Sequence, residues 1–364
     1  MKINRRVRAI GALFAVASLA TACGGGAPQA NDAAAVDDDD TTEANVQEEL
    51  VCDGEKMIHQ LSFIPNPQHV GILYAYEKGY FDEVGLDFDL KEGGPTLSAA
   101  LQIAEGNADT TNLSLGDGLN AVSSGADVRM IAGIAQQTPL RFLSWPDNPT
   151  AEPADFEGKS VSVQQAGNPS PPVRLMAKNA GVPLDSIEVV QTSVDVSSLL
   201  DNKVDVFTAR TYAHIAMLEE QDVSYPDDLV VLNPADFDAD LPEDSYWVNG
   251  NYLDENPDAV ACFLQAAQRG WTDAAENLDE AKEIVAKHAP ASTWNTEAID
   301  IDVDETITHA TETSSGETVA PLTTDIDYLN QGVESLIEVD EVSPDIELSD
   351  VLDLEPLERA LEGQ

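Results

Sequence analysis

Short apolar runs alternate with segments of helical periodicity from residue 57 to residue 233, and this alternation constrains the fold more than any other feature. Alternating strand and helix signals are typical of parallel sheets that carry helices on both faces. A polar, proline-rich stretch at 146–153 divides the alternation into two series, and the chain beyond residue 244 is mostly helical in pattern. We therefore predict an α/β protein with two lobes and a ligand cleft between them, where strand ends and helix N-termini meet.

Eight strands and ten helices follow from the periodicity and from turn signals such as Gly79 and Gly181, which end two of the helices. The predicted strands span 57–64, 86–90, 110–113, 128–132, 160–164, 187–191, 204–208 and 229–233. The predicted helices span 70–78, 96–105, 117–124, 172–180, 194–202, 212–220, 257–276, 278–289, 326–339 and 352–361.

Acidic residues number 67 against 18 basic ones, which gives a formal net charge of −49 over 364 residues. This balance excludes a nucleic-acid-binding protein, whose affinity depends on Lys and Arg side chains that neutralise phosphate. So many carboxylates must be solvated at the surface, where salt screens their mutual repulsion. We therefore expect an acidic, halophilic surface and a salt-loving source.

Residues 1–22 combine a basic start with a short apolar run, which is the pattern of an export signal. The residues around Cys23 resemble a bacterial lipoprotein signal, so we expect cleavage before Cys23 and lipidation of its thiol. An ordinary secretory signal with a chance cysteine is the alternative. Residues 23–51 are rich in small and acidic residues and predict a disordered tether. The expected location is extracytoplasmic, with a lipid anchor on the outer face of the cell membrane.

Two further cysteines, Cys52 and Cys262, lie where the globular body starts and on a predicted helix. Outside the cytoplasm an unpaired thiol is a liability, which favours a disulfide between them. Two buried free thiols are the alternative, because the sequence does not fix the distance between the two residues.

The run LSFIPNPQHVG at 61–71, followed by GYFDEVGL at 79–86, is where the sequence acquires a specific resemblance. Further matching stretches are FEGKSV at 156–161, KVDVF at 203–207 and the segment 256–277. In this order and spacing they resemble the solute-binding proteins of bacterial ABC importers that capture thiamine pyrimidine precursors or riboflavin, which are related to nitrate, sulfonate and taurine binders.

The resemblance implies the type II periplasmic-binding-protein fold, in which two α/β lobes joined by two hinge crossings close around one small ligand. It implies a first lobe at 53–143 plus 244–364 and a second lobe at 144–243. It also implies a monomer that works with ABC permease and ATPase subunits, without a cofactor. The histidines outside the matching motifs, His59, His288 and His309, have no metal-ligand spacing, so no metal is expected.

The function implied is capture of a small heteroaromatic nutrient, with a sulfonate-, nitrate- or taurine-type binding protein as the alternative. A rival from another class is an enzyme, since fungal pyrimidine synthases share this fold. Against an enzyme stand the export signal and the lack of a cysteine cluster. A sensor or adhesion protein that uses the fold without transport is a third possibility.

The resemblance places Asn66 and His69 in the cleft, where an amide and an imidazole can read the edge of a flat ring. The alternative is that Asn66 turns the chain between two prolines and that His69 caps the next helix. Asp117, early in a predicted helix, is a candidate acceptor for a ligand amine or hydroxyl, with helix capping as the alternative.

Aromatic side chains at predicted strand or loop ends are candidate walls for a flat ligand, although core packing is the usual role of a lone aromatic. They are Phe63, Trp145, Tyr212 and Trp247, of which Trp145 is favoured because it follows an apolar strand near a predicted crossing. Relatives that bind the thiamine pyrimidine carry an Asn-Glu pair after a Thr-Tyr step, whereas here Ala213 and His214 follow. His214 is the remaining candidate at that position, and the lost carboxylate weakens the pyrimidine assignment.

Overall fold

The computed structural model describes Leu50, Cys52 and residues 54–163, 168–291 and 293–362. The predicted signal peptide, the lipidation site Cys23 and the acidic tether up to residue 49 lie outside these residues. Within the described ranges, no helix is long and apolar enough to cross a membrane.

Strands and helices alternate along the described chain as the periodicity predicts. The strands are β1 (Lys56–Gln60), β2 (Asp87–Lys91), β3 (Thr110–Leu113), β4 (Val128–Gly133), β5 (Leu140–Ser144), β6 (Ser160–Val163), β7 (Glu188–Gln191), β8 (Phe207–Arg210), β9 (Val230–Leu232) and β10 (Ser245–Asn249). The α-helices are α1 (Val70–Lys78), α2 (Tyr80–Glu83), α3 (Ala99–Ala104), α4 (Leu115–Ser123), α5 (Pro171–Ala180), α6 (Ser197–Leu200), α7 (Thr211–Glu219), α8 (Gly250–Glu255), α9 (Pro257–Glu276), α10 (Leu278–His288), α11 (Thr296–Thr311), α12 (Ile326–Glu338) and α13 (Glu355–Glu362).

The first sheet has the strand order β2-β1-β3-β10-β4. Strand β1 pairs in parallel with β2 and β3, whereas β10 runs antiparallel between β3 and β4. All five residues of β10 are buried, so this strand lacks the alternation that marks a half-exposed strand, and the sequence pattern missed it. Helices α1 and α9 cover the sheet in close contact, because a Cβ atom on Gly71 would lie 2.2 Å from the Trp271 ring.

The second lobe contains an antiparallel sheet of order β8-β5-β9 and a parallel pair, β6 and β7. An isolated bridge between Val161 and Val206 joins the two sets of strands. Because β5 pairs with β8 and β9, the chain leaves the first sheet at 134–139, a few residues before the expected boundary at 143. It returns at 233–244, between β9 and β10. The molecule therefore has the two-lobe α/β architecture with two crossings, while the exact division at 143 and 243 stays a prediction.

The two crossings are hydrogen-bonded to each other. The Thr138 N–H donates to the Asp240 carboxylate at 2.7 Å, and the Ile134 and Ala135 N–H groups donate to the Asp244 carbonyl at 3.0 and 3.1 Å. These bonds hold both connecting segments side by side, in the place where a hinge between the lobes would be.

Two helices of the C-terminal region contact the second lobe. Helix α11 packs against α7, and the Ala216 side chain of α7 joins the apolar core of the first lobe. On the other flank, the buried Arg174 of α5 donates to the Val339 carbonyl at 2.6 Å and pairs with the Glu341 carboxylate. The described residues of segment 48–364 accordingly form one compact unit.

Cys52 and Cys262 form a disulfide in the structure, with a Cα–Cα distance of 6.6 Å. The bridge joins the segment before β1 to the long helix α9, and both residues are buried. It closes a loop of 210 residues, which restricts the unfolded chain more than a short loop would.

The fully buried Asp302 of α11 makes the stability of the fold depend on pH. Its two carboxylate oxygens lack a hydrogen-bond partner of good geometry among the described residues, although the Trp294 and Ala216 N–H groups lie beside it. Burial, reinforced by the charge of Glu305, raises the pKa of Asp302 to about 8. An unfolded Asp ionises near pH 4, so the folded state binds the extra proton between these values and loses stability as the pH rises through this window.

We expect Asp302→Asn to remove this pH dependence, because the amide cannot ionise. The unfolding free energy of Asp302→Asn minus that of the unmodified protein should increase between pH 4 and pH 8, by at most about 1.4 kcal/mol per pH unit. Urea denaturation at several pH values measures this difference, and Asp300→Asn, at an exposed position of the same helix, is the matched control. Parallel pH profiles for Asp302→Asn and the unmodified protein would contradict this account.

Candidate functional site

A buried cleft lies where the two crossings meet the N-terminus of α7. Its lining combines amide, carboxylate, imidazole and aromatic groups with a few apolar side chains: Gln68, Ile134, Ala135, Pro139, Tyr212, Glu243, Asp244, Trp271, Thr306, His309 and Ala310. The cavity is about 20 Å³, which holds roughly one water molecule. A wider hollow over α12 is lined by exposed acidic and amide groups of one helix end and is open to solvent, so the buried cleft is the candidate site.

Asp244 is a buried carboxyl in the cleft lining. Its carboxylate accepts from the Asn112 side-chain amide at 2.8 Å and from the Gln68 side-chain amide at 3.2 Å. Burial raises the pKa of Asp244 to about 7, and the charge of Glu243 adds to the rise, while the two amide donors oppose it. The carboxyl is thus held between β3, the loop after β1 and the second crossing.

Glu243, the preceding residue, pairs with Arg210 at the end of β8 across 3.3 Å. Burial raises the pKa of Glu243; Arg210 opposes the rise, and the Asp117 carboxylate of α4 reinforces it. The half-buried Tyr212 lies next to the same guanidinium, and burial also raises the pKa of its phenol. The site therefore brings acidic groups of the first lobe and the second crossing against Arg210 and Tyr212 of the second lobe.

His309 of α11 contributes an imidazole to the same cleft. Its Nε2 lies 2.6 Å from the Thr211 hydroxyl at the start of α7. Its Nδ1 is buried without a hydrogen-bond partner among the described residues. Burial lowers the pKa of His309 to about 3, with a further contribution from the charge of Arg141, so the ring is neutral near pH 7.

Asn66 and His69 lie in the loop between β1 and α1, next to Gln68 of the cleft. The Asn66 side chain accepts from the Gln68 N–H at 2.7 Å and donates to the Ile64 carbonyl at 3.0 Å, which is the turn that the sequence left as the alternative. His69 precedes α1 without capping it through its side chain. Burial lowers the pKa of His69 to about 3, its Nε2 lies 3.4 Å from the Ser62 hydroxyl, and its Nδ1 has no described partner.

Three of the proposed ligand contacts lie elsewhere, and each has a packing role. Trp145 follows β5 at the end away from the crossing, packs on the second-lobe core and donates its indole N–H to the Leu199 carbonyl at 3.0 Å. Trp247 is fully buried in the first-lobe core. His214 accepts from the Arg210 N–H at 2.9 Å and donates to the Val194 carbonyl at 3.0 Å, so both of its ring nitrogens are used inside the second lobe.

The other two candidates, Phe63 and Asp117, do not line the cavity. Phe63 is half-buried in the loop after β1 and does not line the cavity, although its carbonyl accepts from the Gly93 N–H at 3.1 Å. Asp117 is not the N-cap of α4, since that residue is Ser114, whose hydroxyl donates to the Asp117 carboxylate at 2.8 Å. Tyr212 alone among the sequence candidates lines the cavity.

Sequence reasoning missed Gln68, Glu243, Asp244 and His309. Gln68 lies inside the motif that pointed to Asn66 and His69, so the signal was one residue away. Glu243 and Asp244 sit in an acidic chain in which acidic residues are too common to stand out. Across the described residues, no group of three His, Cys, Asp or Glu side chains could hold a metal ion.

The sequence profile of the family described as NMT1/THI5 like matches residues 66–281, which is more than half of the chain. The chain belongs to the NMT1/THI5-like family. The match includes Gln68, Tyr212, Glu243 and Asp244 of the cleft and ends before His309.

Two curated relatives are binding proteins. The formylaminopyrimidine-binding protein of Halalkalibacterium halodurans is 26% identical over 234 residues, covering 62% of this chain and 68% of the relative. The riboflavin-binding protein RibY of Chloroflexus aurantiacus is 25% identical over 234 residues, covering 63% of this chain and 65% of the relative. The chain thus spans about two thirds of the length of these relatives.

Solved structures show the same fold at low sequence identity. The periplasmic aliphatic sulphonate binding protein SsuA of Escherichia coli has a TM-score of 0.62 at 13% identity, over 82% of this chain and 91% of that protein. The desulfurization enzyme DSZB has a TM-score of 0.55 at 15% identity, over 85% of this chain and 99% of the enzyme. The likeness confirms the periplasmic-binding-protein fold, which serves both binding proteins and an enzyme.

We expect Trp145→Ala to lower the free energy of unfolding by about 2 kcal/mol, since a half-buried indole loses its packing and its hydrogen bond. Affinity for the ligand of the cleft should stay within twofold, because the residue does not line it. Urea denaturation and calorimetric titration measure the two effects, and Trp145→Phe, which keeps a packed ring, is the control. A large loss of affinity with unchanged stability would indicate that Trp145 contacts the ligand and would contradict this assignment.

Proposed function

We propose that the protein is the extracytoplasmic solute-binding subunit of an ABC importer and that it captures a small heteroaromatic nutrient, of the thiamine-precursor or riboflavin kind. The observation that carries the proposal is the cleft at the two crossings, where Gln68, Tyr212, Asp244 and His309 converge from different segments. The curated names of the two relatives, one for a formylaminopyrimidine and one for riboflavin, support the ligand class.

Capture proceeds by closure of the lobes around the ligand. Ligand sites usually enclose several hundred cubic ångströms, whereas this cleft holds about 20 Å³. The lobes must therefore separate at 134–139 and 233–244 to admit a ring, and closing them again buries it. Tyr212 and Trp271 supply aromatic surface, and the amide, carboxylate and imidazole groups fix the orientation.

The electrostatics of the cleft favour a neutral or cationic ligand over a sulfonate or nitrate. Glu243 and Asp244 line it, Asp117 faces Glu243, and Arg210 is already paired with Glu243. An anion would have to approach these carboxylates, and no Lys or Arg is found among the described residues that line the cleft. We propose binding without turnover, since both curated relatives are named as binding proteins and the described lining of the cleft contains no cysteine.

The proposed partners are ABC permease and ATPase subunits that receive the ligand from a monomeric, lipid-anchored binding protein. The anchor is the thiol of Cys23, and the acidic segment up to residue 51 is the tether to the folded body. A high density of solvated carboxylates suits a protein that works in a salt-rich medium outside the cell.

We expect residues 51–364, purified in high salt, to gain thermal stability with an aminopyrimidine thiamine precursor or with riboflavin, because a ligand that binds the folded state stabilises it. Mass spectrometry of the ligand released from protein as purified tests the same proposal without a choice of probe. An alkanesulfonate is the negative control. A shift with the alkanesulfonate and none with either heteroaromatic compound would refute the ligand class.

We expect Cys23→Ala to move the protein from the membrane fraction to the soluble extracellular fraction, since the thiol would carry the lipid. Metabolic labelling with a radioactive fatty acid should mark the unmodified protein and leave the variant unlabelled. Cys52→Ala, which removes a cysteine of the folded body, is the matched control and should stay at the membrane. Equal labelling of the Cys23 variant would rule out this anchor.

A further inference from the structure

Asp244 is a buried carboxyl without a counter-charge. It is 8% exposed, and no Lys, Arg or His side chain of the described residues lies within ion-pair distance of it. Its neighbour Glu243 is different, because Arg210 neutralises that residue. An unpaired carboxylate in a cleft is costly unless hydrogen-bond donors or a positive charge reach it.

The protein supplies only part of what the Asp244 carboxylate can accept. The Asn112 and Gln68 amides each donate one hydrogen bond, one to each oxygen, and the Ser245 N–H is a third donor beside the carboxylate. A carboxylate has about four acceptor positions, so one remains toward which a ligand can donate. The two amides come from separate segments and fix the plane of the carboxylate before any ligand arrives.

A second acceptor faces the same cleft. His309 Nε2 lies 2.6 Å from the Thr211 hydroxyl oxygen and 3.8 Å from the Glu305 carboxylate. We assign the ring proton to Nε2, because it can then donate toward these oxygens. His309 Nδ1 then carries a lone pair, and this atom is buried without a described partner in a residue that is 5% exposed and lines the cavity. A buried acceptor left unpaired is satisfied when a ligand donates to it.

We propose that Asp244 is the specificity-determining residue of the cleft, and that it accepts a hydrogen bond from the amino group of an amino-substituted heteroaromatic ring, with His309 Nδ1 as a second acceptor. This inference rests on the proposed function and narrows its ligand class. It selects rings with an amino group over the corresponding oxo rings, over flavins and over anions.

The test compares two probes that differ at one group: 4-amino-5-hydroxymethyl-2-methylpyrimidine and its 4-oxo counterpart, each titrated calorimetrically in high salt. The unmodified protein should bind the amino ring at least tenfold more tightly, because an oxo group cannot donate to Asp244. Asp244→Asn should lose tenfold or more for the amino ring and little for the oxo ring. Gln68 can rotate its amide to pair with the new asparagine, so the variant keeps its hydrogen bonds.

Asp240→Asn is the matched control. Asp240 lies on the same crossing and its carboxylate is bonded to Thr138 and Tyr328, but it does not line the cavity. The affinity of the Asp240→Asn variant for both probes should stay within twofold of that of the unmodified protein. Should Asp244→Asn fail to fold, the comparison of amino and oxo rings on the unmodified protein decides alone.

Equal affinity for the two rings, or an unchanged affinity of folded Asp244→Asn for the amino ring, overturns the inference while heteroaromatic capture stands. Preference for riboflavin over the amino ring overturns it in the same way. Binding of neither pyrimidine nor riboflavin overturns the proposed function and this inference with it.

Discussion

The arrangement of the molecule depends on the hydrogen bonds that converge on Asp244. Its carbonyl accepts from the Ile134 and Ala135 N–H groups of the first crossing, and its carboxylate accepts from Asn112 of β3 and from Gln68 of the loop before α1. One residue of the second crossing thus fixes the first crossing, a sheet strand and the loop carrying the family motif. Backbone groups at a buried crossing must be paired, and the residue that pairs them also faces the cleft.

Much of the fold could be predicted because its signals are local. The helix expected at 70–78 is α1, Val70–Lys78, where apolar spacing and Gly79 act within one segment. The strand expected at 57–64 ends at Gln60, since the residues before Pro65 form a loop. Strand β10 was missed because Ser245–Asn249 is buried throughout and owes its place to the pairing with β3 and β4. Such pairing is set by tertiary contacts that no local pattern encodes.

The candidate site was harder to predict, because tertiary contacts decide which residues meet in it. The sequence favours Trp145 because it follows an apolar strand near a crossing, but β5 runs away from the crossing, so the residue after it packs on the second-lobe core. His309 comes from α11 and meets Thr211 only because two distant helices pack together. The residue types that the chemistry needs were foreseen as amide, imidazole and carboxylate. Which individual residues of these types lie together in the cleft depends on the topology of the fold.

The contacts of α11 and α12 with the second lobe have a consequence for how this protein responds to its ligand. Both helices follow residue 281, where the family match ends. The ion pair between Arg174 and Glu341, just after α12, joins the lobes on one side of the molecule, and the packing of α7 against α11 joins them on the other. Helix α11 also contributes His309 to the cleft, whereas Arg174 and Glu341 lie outside its lining, so only the Arg174–Glu341 contact joins the lobes without belonging to the candidate site. Under the proposed function, substitutions at Arg174 or Glu341 would change the free energy of lobe opening, and hence the apparent affinity, while the residues that line the cleft stay unchanged.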